Sequence, residues 1–252
     1  MRRLEFPGKR RLRLHLAVPS EGRPVVRFPE GMSLRLDLSE SLQRDFYAGL
    51  HDRHELRLVR RFLAGGGDFV DVGAHVGLYA VRAAMLLRGR GRVLAFEPNP
   101  VARAQLEENV RLNACDNVIA SEQAASSREA TATLAVPRSN DPSFSTLDAA
   151  PFEQGEPIEV ATTTVDAEVE RHGLRPALVK IDVQDHEVAV LDGMQRTLAL
   201  RPAVLCEVGE TTVAAVGERF PGWRAYRVGP RRLHEGLDGR GYYNALFLPG
   251  DV

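Results

Sequence analysis

The chain has 252 residues, 44% of them hydrophobic, and a formal net charge of −1. That is enough apolar content for one sizeable α/β core, and the near-zero charge offers no global basic field for nucleic acid. Two cysteines, Cys115 and Cys206, make neither a disulfide framework nor a metal-type spacing, and no stretch approaches the roughly 20 apolar residues of a membrane span, so a soluble cytoplasmic protein is expected, with no nucleic-acid or membrane partner.

The basic N-terminal run (Arg2, Arg3, Lys9, Arg10, Arg11, Arg13) lacks interleaved aromatics and reads as a solvated strand or tail rather than a phosphate-binding arm. Residues 10–37 alternate loosely between apolar and polar, which predicts two or three short strands. A helical period over 41–63 follows (Leu42, Phe46, Leu50, then Leu56, Val59, Phe62, Leu63). Gly65-Gly66-Gly67 then stops the chain; with no Gly-Lys-Ser/Thr after it, it is not a phosphate loop.

From there strands and helices alternate: strand 69–72, helix 77–89, strand 92–96, helix 100–113 and a strand near 117–121. A polar stretch at 137–157 reads as a mobile excursion over the sheet edge. Strand 177–182 leads to a helix from about 186, and strand 203–207 to a helix at 211–217. Segments 223–228 and 243–248 read as a closing antiparallel pair. The pattern predicts a three-layer α/β sandwich with a mostly parallel sheet.

Asp71-Val72-Gly73-Ala74-His75-Val76-Gly77 joins the first strand of this series to its helix. A dinucleotide turn wants Gly-x-Gly-x-x-Gly so that backbone can approach a pyrophosphate. Here those positions read Gly73, His75 and Leu78, and His75 would crowd a pyrophosphate. The turn suits a cofactor without phosphates: Asp71 would accept from an ammonium group, and Gly73 would leave room for the ligand. Glu97, with Pro98 after the next strand, would take both ribose hydroxyls. S-adenosylmethionine fits this set; NAD fits poorly. The plainer alternative is that Asp71 caps the helix and the glycines only turn the chain.

Phe96-Glu97-Pro98-Asn99-Pro100, Asn113, Asn117-Val118, Thr164-Val165-Asp166, Val179-Lys180-Ile181-Asp182-Val183 and Glu207 together resemble the FkbM-type methyltransferases. The segment Leu36-Asp37 through Tyr47-Ala48-Gly49 and Glu55 is similar to what precedes the glycine turn in that family. The resemblance spans about residues 30–210. It implies a class I methyltransferase Rossmann-like fold, with residues 1–64 as an N-terminal β/α extension and 65–252 as the methyltransferase domain. It also implies S-adenosylmethionine as donor and, as partner, a small hydroxylated acceptor such as a sugar or polyketide; homo-oligomerisation stays open. Ala74, His75, Gln123 and Ala124 join Asp71, Gly73, Gly77, Glu97, Pro98 and Asp182 as expected cofactor contacts, Gln123 and Ala124 near the adenine ring.

Two departures stand out. His75 occupies a position where the family carries Asn, and Gln184-Asp185-His186 replaces Glu-Gly-Ala. Methyl transfer to a hydroxyl needs alignment and removal of a proton. His186, just past Asp182 at a strand end, is the candidate base, with Asp185 or Glu187 to orient it; an exposed or acid-paired histidine is the competing reading. Convergence of Asp182, Asp185, His186 and Glu207 on Mg²⁺ is the less favoured alternative. Loss of transfer with cofactor binding retained, and N-methylation, also stay open. Glu55 reads equally well as a contact to the cofactor's amino group or as an exposed helix position. Trp223, Tyr226, Tyr242 and Tyr243 are expected to pack the C-terminal strands, and Lys180 to snorkel from a strand end.

Overall fold

The computed structural model describes residues 18–29, 31–50, 53–137, 147, 155–229 and 231–250. The basic N-terminal run and most of the polar stretch at 137–157 lie outside the described residues.

An antiparallel pair, β1 (Val25–Arg27) and β2 (Ser33–Arg35), precedes two helices, α1 (Ser41–Tyr47) and α2 (Arg53–Phe62). The alternating series then runs β3 (Asp68–Val72), α3 (Leu78–Leu87), β4 (Val93–Phe96), α4 (Pro100–Leu112) and β5 (Val118–Ser121). Three strands follow that the periodicity did not announce: β6 (Ala124–Ala125), β7 (Ala130–Pro137) and β8 (Gly155–Thr163), which form a separate sheet in the order β6-β8-β7. The end of the expected excursion, 155–157, therefore belongs to a strand. Next come α5 (Val165–Arg171), also not foreseen, and β9 (Pro176–Ile181). The helix expected from 186 is two short ones, α6 (Glu187–Asp192) and α7 (Gln195–Ala199). The chain continues through β10 (Ala203–Val208), α8 (Val213–Gly217), β11 (Arg224–Val228), β12 (Leu233–Glu235) and β13 (Tyr243–Leu248).

The large sheet has the order β12-β11-β13-β10-β9-β3-β4-β5. β10, β9, β3, β4 and β5 are parallel, and β13 runs antiparallel between β10 and β11. A parallel sheet closed by one inserted antiparallel strand is the class I methyltransferase fold, and the expected pairing of the two C-terminal segments is part of it.

Strand alternation builds both faces. Phe69, Ala95, Leu178 and Leu205 pack on one side with α2 and α3; Val70, Val72, Leu94, Phe96, Val179 and Ile181 pack on the other. α3 is apolar almost all round and correspondingly buried, from Leu78 to Leu87. Pro100 starts α4 behind an Asn99 cap whose side chain accepts from the Val101 N–H at 2.9 Å. Asn109 of α4 and Asn113, the residue that caps its C-terminus, then act as a surrogate strand for β2: their Oδ1 atoms accept from Arg35 N (2.7 Å) and Ser33 N (2.8 Å). This docks the N-terminal segment against the alternating core. Both cysteines are buried and free, and no helix among the described residues is long and apolar enough to cross a membrane.

Candidate active site

At the carboxyl ends of β3, β4 and β9 a cleft opens that encloses about 670 Å³, part of it continuous with solvent. Such strand ends are where open α/β sheets bind ligands. Its wall takes Gly73, His75, Glu97, Pro98, Ala124, Asp182 and His186 from the expected set. Leu42 from α1, Leu134 from β7 and Leu147 close it with apolar surface that the sequence reading did not assign. Asp71, Ala74, Gly77, Gln123 and Glu55 are not in this lining.

The glycine turn is held by its neighbours. The N–H groups of Gly73 and Ala74 both donate to the Phe96 carbonyl at 3.1 and 3.0 Å, tying the turn to the end of β4. Gly73 has φ +81°, and an added Cβ would lie 1.9 Å from the Asp182 carbonyl oxygen. Its missing side chain thus makes room for the neighbouring strand's backbone, which corrects the expectation that the space serves the ligand. Gly77 precedes α3 with φ +89°, where a Cβ would stand 2.6 Å from Leu106 Cδ1 of α4.

Glu97 is 7% exposed and faces the cleft. One carboxylate oxygen accepts from His75 N at 2.7 Å and the other from Asn99 N at 2.9 Å. Burial pushes its pKa up, against the His75 charge and these backbone donors. Each oxygen keeps a second lone pair, so both can still accept from a diol. The His75 backbone sits at φ +49°, and its ring turns to Glu40, 3.3 Å away. Glu40 is itself buried, and Gln43 donates to it at 2.5 Å.

Asp71 is fully buried, on the same sheet face as Lys180, its register partner in β9. Neither carboxylate oxygen meets a hydrogen-bond partner among the described residues. Burial raises its pKa to about 6, Lys180 and the nearby Ala80 N–H pulling the other way. Gly77 precedes α3 and offers no side chain to cap it, and the Asp71 carboxylate lies by the Ala80 N–H in the first turn of that helix. Lys180 does not snorkel. Its side chain is 3% exposed, its Nζ donates to Asp182 Oδ2 at 3.1 Å, and it lies 4.6 Å from the centre of the Tyr79 ring.

Asp182 reaches the cleft with its side chain 34% exposed. Gln184 Nε2 bridges Asp182 Oδ1 (3.1 Å) and Glu207 Oε2 (2.9 Å). Burial opposes ionising Asp182, but Lys180, Glu207 and Gln184 hold its pKa below the ordinary value. Burial and the Asp182 charge push Glu207 up to about 9. Burial likewise raises Glu187 to about 7, although the Val183 N–H donates to it at 3.2 Å.

Gln184 and Asp185 have φ +53° and +75°, left-handed values that explain why the family pattern places a glycine at 185. They turn His186 inward, 8% exposed, with Nε2 3.0 Å from Ser126 Oγ. Ser126, the residue after β6, was not anticipated; the two lie 60 positions apart. Tyr242 is 63% exposed rather than packed; its ring lies over Gly209, and the Asp185 charge, with partial burial and a hydrogen bond to that carboxylate, raises its pKa. Tyr243 and Trp223 pack the C-terminal strands as expected. No group of three or more His, Cys, Asp or Glu among the described residues is arranged to hold a metal ion.

Residues 71–232 match the methyltransferase FkbM domain. No curated protein matches the chain. Among solved structures it is similar to precorrin-6y C5,15-methyltransferase from Geobacter metallireducens (14% identity, 77% of this chain and 87% of that one, TM-score 0.46). It is similar to an rRNA methylase from Streptococcus thermophilus (11%, 79% and 94%, TM-score 0.46). A third is the O-methyltransferase from Bacillus cereus in complex with SAH (13%, 82% and 86%, TM-score 0.47).

Proposed function

The chain belongs to the FkbM methyltransferase family, and on that premise we propose that it transfers a methyl group from S-adenosylmethionine to a hydroxyl of a small molecule. The observation that carries the donor is Glu97: a buried carboxylate at the end of β4, facing the cleft beside the glycine turn, with acceptor capacity left over. Glu97 would hold the ribose hydroxyls, Phe96, Ala124 and Ala125 would offer apolar surface to the adenine, and Gly73 and Asp182 would border the amino-acid end. When bound, S-adenosylmethionine supplies a methyl group already activated on a sulfonium. What remains for the chain is to align the acceptor and take its proton.

His186 is the candidate base, an imidazole in the cleft wall whose ring Ser126 orients. The described lining carries two carboxylates and two histidines and no Lys or Arg, which favours a neutral hydroxylated acceptor over a polyanion such as nucleic acid. Residues 1–64 act as an extension of the catalytic unit in this reading, contributing Leu42 to the wall.

Calorimetry with S-adenosylhomocysteine tests the donor: saturable binding is expected, and its absence overturns the reading. A panel of sugar and polyketide alcohols, assayed by mass for methyl transfer, tests the acceptor. Transfer only to amines or nucleic acid would overturn the hydroxyl assignment.

A further inference from the structure

Resting on that reading, we propose that Lys180 is a positioning residue: it assigns the proton of the Asp182–Glu207 carboxyl pair to Glu207, and so keeps Asp182 a fixed anion facing a cationic methyl donor.

The placement follows from strand geometry. Residues 178, 180 and 182 fall on one face of β9 and its extension, and Lys180 stands in register with Asp71 of β3 and Leu205 of β10. A lysine nearly sealed from solvent is costly unless paired. Here the Tyr79 ring covers it at 4.6 Å and Asp182 takes its proton donor at 3.1 Å.

Asp182 and Glu207 hydrogen-bond each other and are also spanned by one amide nitrogen, that of Gln184, so their charges meet at short range. Two carboxyls so close cannot both ionise freely; left to themselves they share a proton. The cluster is not symmetric. Lys180 bonds Asp182 directly and acts on Glu207 only through space. The other titratable groups that feel Asp182 are Asp71 across the sheet, Glu187 from α6 and the Cys206 thiol, and none is a cation. The direction of the shifts agrees with the geometry, Asp182 lying below its ordinary value and Glu207 far above. The result is one anion placed at the cleft and one neutral acid behind it.

The test is calorimetric titration with S-adenosylmethionine from about pH 5 to 8, where an unperturbed carboxylate is already ionised. Wild type should show only the acid limb set by its other raised carboxyls, Asp71 at about 6 and Glu97. Lys180→Met should lose affinity as pH falls, the midpoint of that loss rising by about one unit or more, a roughly tenfold weaker complex at the acid end. Lys180→Arg should restore most of the wild-type profile. Lys180→Met added to Asp182→Asn should introduce no new acid limb, because its effect runs through Asp182. A folded Lys180→Met protein with the wild-type profile overturns the inference, as does an acid limb beyond the wild-type one that persists in the double variant. Should Lys180→Met fail to fold, carboxyl-carbon NMR of the wild type decides: Asp182 charged and Glu207 neutral near neutrality supports the assignment, and the reverse overturns it. That spectrum also separates this inference from the donor reading, which fails instead if wild type binds no S-adenosylmethionine.

Discussion

The backbone carbonyl of Asp182 occupies the place where a side chain on Gly73 would begin, 1.9 Å from an added Cβ. The ends of β3 and β9 therefore meet backbone to backbone, and this contact brings the glycine turn and Asp182 to one cleft. Gly73→Ala must separate the two strand ends and also hold alanine at φ +81°. Strain of this kind costs on the order of 1–3 kcal/mol before any clash is counted. Urea unfolding should show at least that loss, and S-adenosylhomocysteine binding should disappear even where the protein stays folded. A stable Gly73→Ala protein with full binding would contradict the contact.

Glu97 gives a second, separable outcome. Glu97→Gln keeps a carbonyl oxygen for one of the two backbone donors, His75 N or Asn99 N, but presents an amide N–H to the other. A charged hydrogen bond is worth roughly 1.5–3 kcal/mol, so cofactor affinity should fall about 10- to 100-fold with a modest stability loss. Calorimetry and thermal unfolding on the same preparation separate the two effects. Unchanged affinity would remove Glu97 from the ribose.

Much of this arrangement is legible in the chain itself. The buried strand before Gly73, the acid at the end of the next strand and the histidine after Asp182 all lie at strand ends, where local pattern reports position. The β7–β8 pair was missed because its strands alternate weakly, with many Ala and Thr and only Leu134, Val136, Ile158 and Val160 as larger apolar residues. Partners across the fold were hidden for a different reason. Lys180 meets Asp71 through β3–β9 register, His186 meets Ser126 across 60 residues, and His75 meets Glu40 from the N-terminal segment. No periodicity encodes such pairings. Lys180 read alone suggested an exposed amine: its partner Asp182 is only two residues on, but the strand register with Asp71 and the Tyr79 ring that enclose it come from tertiary structure.

His186 and Ser126 predict a split between catalysis and binding. If His186 takes the acceptor's proton, His186→Ala should lower kcat by about 10²–10⁴ and leave S-adenosylhomocysteine affinity within a few-fold. Ser126→Ala should have a smaller effect on kcat, since it removes only the 3.0 Å contact that orients the ring. Kinetics on an identified acceptor check both. Full turnover in His186→Ala would end the base assignment.

Glu207 sets the sign of a stability–pH relationship. Its folded pKa, about 9, lies above the ordinary carboxylate value of 4.5, so the folded state keeps a proton that the unfolded chain releases. The stabilising contribution is therefore complete below pH 4.5 and declines as pH rises toward 9, by at most about 1.4 kcal/mol per pH unit. Glu187, at about 7, and Asp71, at about 6, have the same sign and act over narrower windows. Glu207→Gln preserves the shape and the neutral hydrogen-bonding pattern toward Gln184 and Asp182 without a titrating proton. Urea unfolding should then show the variant gaining stability over wild type between neutral and alkaline pH and losing that advantage in acid. A variant that tracks the wild-type curve at every pH would mean that Glu207 is already ionised in the folded protein.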